Sequence, residues 1–264
     1  MIEATRPSID FDAKKLMRSL LVFAPWIQDL RFRGEARVLQ ALGQPFRAEF
    51  AGLRALTLTD PLVVDIGCNR GISISTFLSM RPDARVVGFE ANPDLAAATK
   101  AMFSRDPRVE IRSMALGDRP AKLTLHVPVY RGYRFDGLGS MDAQTARALF
   151  DGRLLYWFDP RRLVVEEKPV AVRRLDDEHL DPDVIKLYVQ GHEAAVLDGA
   201  RDTLARNEPI VIAPSRTPHV DALLRAQGYG RYQWQRDRFV PEADFGYVVY
   251  YMTPARARSS GTVR

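Results

Sequence analysis

Two kinds of hydrophobic spacing divide this chain. Over residues 12–42, Leu16, Leu20, Trp26, Ile27 and Leu30 recur at helical intervals with Lys14, Lys15, Arg18, Arg31 and Arg33 between them. That pattern predicts one or two amphipathic helices parted at Pro25, a cap on a core or a basic lid, with a further helix near residues 45–56. From residue 62 the apolar residues come instead in short runs: LVV at 62–64, RVVGFE at 85–90, a third at 109–114, VIKLYV at 184–189 and PIVIA at 209–213. Helical segments are predicted between them, beginning near Gly71, at Asn92 or Pro93 and at His192, and over 220–227 with Gly228 closing the last. Alternation of this kind calls for a parallel, right-handed, doubly wound α/β sheet. Residues 121–127 alternate as an edge strand stopping at Pro128, 170–175 resume strand character, and 231–240 with 247–252 suit an antiparallel terminal pair. Residues 129–168 keep no period and read as an excursion over the mouth of a site.

The stretch LVVDIGCNRGISISTFLSM, residues 62–80, organises the rest. A buried strand reaches Asp65, and Gly67 and Gly71 allow a tight turn into a helix whose free N–H groups suit a carboxylate or phosphate. The spacing D-x-G-x-x-x-G departs from G-x-G-x-x-G, which argues against a nicotinamide reductase. The second strand ends at Glu90, about 20 residues beyond the loop, where an acid can accept from both hydroxyls of a ribose. The SMALGD turn after the third strand puts Met114, Ala115 and Asp118 at the same edge. Asp118 can accept from an exocyclic amine there, or serve only as a turn residue.

Composition narrows the picture without changing it. Of 264 residues, 46% are hydrophobic and 27% charged, and no apolar run has the length of a membrane span. The apolar patch at 20–27 is broken by Pro25 and preceded by Glu3, Asp10 and Asp12, unlike a signal peptide, so a cytoplasmic location is expected. The single cysteine, Cys68, excludes an intramolecular disulfide and suits a buried filler. Three of the five net positive charges are Arg256, Arg258 and Arg264 in the last ten residues, which leaves little support for nucleic-acid binding. Three segments are expected: a helical cap over 1–58, the main domain over 59–254 and a disordered tail over 255–264.

Taken in order, VVDIGCNRG, VVGFEANP, SMALGD and VIKLYVQGHEAAVLDGA followed by PIVIA resemble the FkbM-type S-adenosylmethionine-dependent methyltransferases. The resemblance implies a Rossmann-like class I methyltransferase sheet. It also implies that Asp65, Gly67 and Gly71 surround the methionine moiety, with Asn69 in the same loop, Glu90 on the ribose, and Ala115 and Asp118 by the adenine. Family members methylate hydroxyls of sugars, polyketides and other natural products, so the implied acceptor is a small molecule, handled by a monomer or a homo-oligomer.

The chain also departs from that pattern. Where the family carries I-D-V-E-G, this sequence has Tyr188 and Gln190 in place of the acids, and Pro214 stands where a glutamate usually ends the next strand. Without those carboxylates a divalent metal loses its ligands, and metal-independent chemistry is expected. His192 is then the nearby group able to take a proton from a hydroxyl, unless it only begins a helix, and Tyr188 can touch the acceptor through its own hydroxyl or merely fill space. The same three positions suit a relative that binds cofactor but has lost catalysis.

Overall fold

A computed structural model describes residues 12–260, apart from 149, 151, 152, 216, 244 and 245. Residues 1–11 of the expected cap, 261–264 of the expected tail, and the side chains at 14, 29 and 33 lie outside that description. The chain forms two compact units, the smaller made of Met1–Arg31 and His126–Glu167, the larger of Phe32–Leu125 and Lys168–Arg264.

Helices α1 (Ala13–Leu21) and α2 (Ile27–Ala41) flank Pro25, as their spacing predicts. The helix expected near 45–56 is a 3₁₀ helix, Ala48–Ala55. Phe50, Leu53 and Leu56 are buried at intervals of three, which a helix of three residues per turn places on one side. The β-α-β-α-β core follows: β1 (Leu62–Ile66), α3 (Ile72–Met80), β2 (Arg85–Glu90), α4 (Pro93–Met102) and β3 (Val109–Ser113). Asn92 starts α4 by accepting from the Asp94 N–H at 3.1 Å, with Pro93 at the first position, where its missing N–H costs nothing.

Beyond the short β4 (Ala115–Leu116), β5 (Ala121–Tyr130) passes through Pro128 instead of stopping there. Pro128 needs no N–H at that point, its carbonyl accepts from Phe135, and β5 continues by pairing with β6 (Tyr133–Arg134). Helix α5 (Ala143–Ala148) and β7 (Leu163–Arg173) follow, β7 beginning seven residues ahead of the expected 170. After β8 (Val184–Leu187), the single helix expected over 192–205 is split into α6 (Glu193–Asp198) and α7 (Arg201–Asn207). A Cβ at Gly199 would lie 1.9 Å from the Gly117 carbonyl oxygen, and the Gly199 carbonyl accepts from Asp176, so the break is built around a glycine that no other residue could replace.

Strand β9 (Ile210–Pro214), α8 (Pro218–Ala226), β10 (Gly230–Gln235), β11 (Arg238–Pro241) and β12 (Val248–Met252) complete the sheet. The strand expected over 231–240 is a hairpin, because Arg236 and Asp237 turn in the left-handed region. Finally, α9 (Pro254–Ser259) occupies residues assigned to the tail. Thr253 caps it, Ala257 is buried, and Arg256 donates to the Asn207 and Glu208 carbonyls.

In the larger unit the strand order is β11-β10-β12-β9-β8-β1-β2-β3, with β3 through β9 parallel and β12 antiparallel to both neighbours. This is the doubly wound class I methyltransferase sheet. Apolar clusters cover both faces, one including Val63, Ile74, Phe77 and Val86, the other Val64, Ile66, Phe89, Ile185 and Leu197. The smaller unit has an aromatic core of Tyr130, Tyr133, Phe135 and Phe150, the last two edge to face at 4.5 Å. No helix among the described residues is long and apolar enough to cross a membrane.

Candidate functional site

The chain order reverses between β1 and β8, and at such a switch point the loops leave in opposite directions and open a crevice at the carboxyl ends of the strands. In the β1–β8 register Asp65 stands directly opposite Lys186. Asp65 is fully buried, and Lys186 Nζ lies 2.9 Å from its carboxylate and donates to the Gly67 carbonyl at 2.7 Å. Ser73, in the first turn of α3, donates to the other carboxylate oxygen. Both oxygens of Asp65 thus have protein partners, and the carboxylate organises the glycine loop through Lys186. Lys186 is the residue that sequence reasoning passed over. The signal was present, since a lone lysine in an apolar strand must find a counter-ion in the next one.

The loop itself is tied on every side. Gly67 has φ +79°, and a Cβ there would meet the Tyr188 carbonyl oxygen at 2.1 Å. Gly71 has φ +76°, with the Phe103 ring 2.6 Å from where its Cβ would be. The N–H groups of Gly67 and Cys68 donate to the Phe89 carbonyl, and the Asn69 carbonyl accepts from Thr99 Oγ1. Asn69 adopts a left-handed conformation and donates its N–H to Glu90 Oε2 at 2.8 Å, while Glu90 Oε1 accepts from Asn92 at 2.8 Å. Glu90 is buried at the end of β2, and a carboxylate is an acceptor-only group of the kind that binds hydroxyls. The Cys68 thiol is buried, and burial first, then Asp65 and Glu90, push its pKa well up, which removes it as a nucleophile.

Ala115 is buried in β4 and Asp118 is half exposed, with Arg119 3.7 Å away. His192, preceding α6, lies with Nε2 3.3 Å from the Cβ position of Gly117. The fold therefore brings His192 to the turn that carries Asp118, a pairing that a separation of 74 positions hides in the sequence.

Tyr188 leaves β8 beside Gly67, and its hydroxyl is hydrogen-bonded to that of Tyr247. The two rings stand edge to face at 6.1 Å, and the Arg47 guanidinium covers Tyr247 at 4.1 Å. Burial, followed by the bond to Tyr188, pushes the Tyr247 hydroxyl up to about 12. Tyr247 also sits beside Pro214, its carbonyl accepting from Ser215. Two of the three altered positions thus end on adjacent strands with a phenol pair between them. Gln190 and Gly191 both have positive φ, and the buried Glu193 holds this turn by accepting from the Val189 and Gly191 N–H groups. Among the described residues no three His, Cys, Asp or Glu side chains gather as metal ligands.

The β1–β2 side of this edge suits a polyol held by a carboxylate, and the β8–β9 side offers uncharged hydroxyls and an imidazole. NoeI, a 2-O-methyltransferase of Sinorhizobium fredii (strain NBRC 101917 / NGR234), is 30% identical over 154 residues, which are 56% of this chain and 60% of that protein. Among solved structures, methyltransferase FkbM from Methylobacillus flagellatus KT is similar with a TM-score of 0.46 and 13% identity, covering 86% of this chain and 60% of the other. Human N-acetylserotonin methyltransferase in complex with SAM gives 0.40 and 13%, covering 87% and 59%. The chain thus spans about three fifths of each of these relatives. The profile of the Methyltransferase FkbM domain matches residues 65–230, from the Asp65 loop to the start of β10 and well over half of the sequence. The chain belongs to the FkbM methyltransferase family.

Proposed function

We propose that the protein transfers a methyl group from S-adenosylmethionine to a hydroxyl of a small molecule, a sugar or another natural product, without a metal ion. The observation that carries this reading is the buried Glu90 carboxylate, which ends β2 at the switch-point edge and accepts from the Asn69 and Asn92 N–H groups beside the glycine loop. The cofactor supplies an electrophilic methyl on a sulfonium. Glu90 accepts from the ribose hydroxyls, Gly67, Asn69 and Gly71 shape the wall along the methionine part with Asp65 and Lys186 bracing it, and Ala115 and Asp118 flank the base. His192 removes the acceptor's proton at an imidazole nitrogen, and the Tyr188 hydroxyl positions the acceptor. Tyr188, Gln190 and Pro214 in place of acids support the metal-free chemistry, and the 2-O-methyltransferase named among the relatives supports oxygen as the target.

Those same three positions favour one competing reading, a relative that binds the cofactor without turning it over. Calorimetry with S-adenosylhomocysteine, followed by labelled methyl transfer to a panel of hydroxylated acceptors, separates the two. Turnover insensitive to EDTA is expected, with His192→Ala lowering kcat about 10²- to 10⁴-fold at unchanged cofactor affinity. Tight binding with no transfer to any acceptor supports the non-catalytic reading, and loss of turnover to EDTA that magnesium restores overturns the metal-free one.

A further inference from the structure

In the smaller unit, α1 and the start of α2 bury two polar side chains and turn a row of large apolar groups outward. Ser19 is buried, donating to the Lys15 carbonyl and accepting from the Tyr156 N–H, both at 2.7 Å. Gln28 is buried and donates to the Arg134 carbonyl at 2.7 Å. Meanwhile Met17, Leu20, Phe23, Trp26 and Leu30, spaced every three or four residues, are each more than half exposed, from 51% at Met17 to 75% at Trp26. Isolated exposed leucines are ordinary, but a row of five large apolar side chains marks a surface that meets something.

The charges beside this row indicate what it meets. Lys15 lies over the Tyr156 ring at 4.7 Å, Arg18 donates to the Leu154 carbonyl at 3.3 Å, and Arg131 lies over the Phe23 ring at 4.7 Å and near that of Tyr130. Each of these contacts is with a ring or a backbone carbonyl, so three basic side chains border the apolar row without an acidic group in the contact. A second copy of the chain would bring cations against cations. A hydrocarbon layer edged with phosphates offers both complements, apolar depth for the row and anions for its border.

We propose that this face docks on an anionic phospholipid surface, with Phe23 and Trp26 at the boundary between headgroups and acyl chains and Lys15, Arg18 and Arg131 against the phosphates. Helix α1 lies on this surface and does not cross it, since its nine residues reach about 14 Å. The reading does not depend on the identity of the methyl acceptor.

Flotation of the full chain with vesicles tests it. Vesicles of phosphatidylcholine and phosphatidylglycerol in equal parts should bind tenfold or more tighter than phosphatidylcholine alone, on the order of the gain that a few basic residues provide, and added salt should weaken binding. Phe23→Ser/Trp26→Ser should abolish flotation and Arg18→Gln/Arg131→Gln should reduce it tenfold or more, each with wild-type circular dichroism. Absence of flotation with the anionic vesicles, equal binding to both kinds, or variants that float like wild type overturns the proposal. So does a dimer in sedimentation equilibrium that Phe23→Ser/Trp26→Ser dissolves while the wild type ignores lipid.

Discussion

The two ends of the sheet's carboxyl edge manage polarity in opposite ways. Along β1 and β2 the chain buries full charges, Asp65 and Glu90, and answers each with a fixed partner: an ammonium and a hydroxyl for one, two backbone N–H groups for the other. Along β8 and β9 it places phenols, an amide and a proline, and the Tyr188–Tyr247 bond leaves those hydroxyls partly open. A buried charge tolerates no slack, because losing a partner strands it in a medium that cannot solvate it. A neutral pair can swing aside at small cost. The first end is accordingly rigid before any ligand arrives, and the second has latitude to fit an acceptor.

The contrast is sharpest at Lys186. Lys186→Met should cost about 3–5 kcal/mol in denaturant unfolding, because Asp65 would remain buried without its counter-ion. Adding Asp65→Leu to that variant should restore much of the loss. A single variant as stable as wild type would show that the two groups are not coupled. Next in size is Glu90→Ala. It removes one charge-assisted bond to the loop and one to the start of α4, and calorimetry should show cofactor affinity weaker by about 1.5–3 kcal/mol, on the order of tenfold to a hundredfold. Unchanged affinity would put the ribose elsewhere.

The smallest effect is expected at the permissive end. Tyr188→Phe removes one neutral hydrogen bond, worth about 0.5–1.5 kcal/mol, and should leave cofactor affinity alone. It should also bring the Tyr247 titration down from about 12. The sign follows from a folded pKa raised above the ordinary phenol value of about 10: the protein is favoured below that pH and loses stability as pH climbs from there towards 12. Tyr188→Phe should therefore flatten the alkaline decline, as read by ultraviolet difference titration against Tyr247→Phe. A steeper decline would show that the bond does not hold the Tyr247 proton in place.

The same contrast governs what could be read from the sequence. Short apolar runs separated by helical spacing specify a parallel sheet, and Gly67, Gly71 and Glu90 are visible because tight turns and strand-end acids have fixed intervals. The break at Gly199 was hidden, since it depends on a carbonyl from Gly117, 82 residues away, and the local pattern is that of an unbroken helix. Tyr247 was invisible as a partner of Tyr188, because two tyrosines at a distance carry no mark of a hydrogen bond. Strand β5 outran Pro128 because β6 pairs past it, and α9 formed in the expected tail because Thr253 and Glu208 cap and receive it. In α1 and α2 the helical period was legible but not which face turns inward, since Ser19 and Gln28 reach backbone partners more than a hundred residues away.

Cys68 gives this rigidity a time axis. It is the sole thiol in the chain, it packs with Sγ 3.0 Å from the Cβ position of Gly88, and its proton is held by burial and by two neighbouring carboxylates. A disulfide reagent needs a thiolate in water, so it reacts only during moments when the glycine loop lifts off the end of β2. The rate of that reaction counts loop openings in the unlabelled protein. Any ligand that settles against Asn69 and Glu90 should slow the count in proportion to the time it keeps the loop shut.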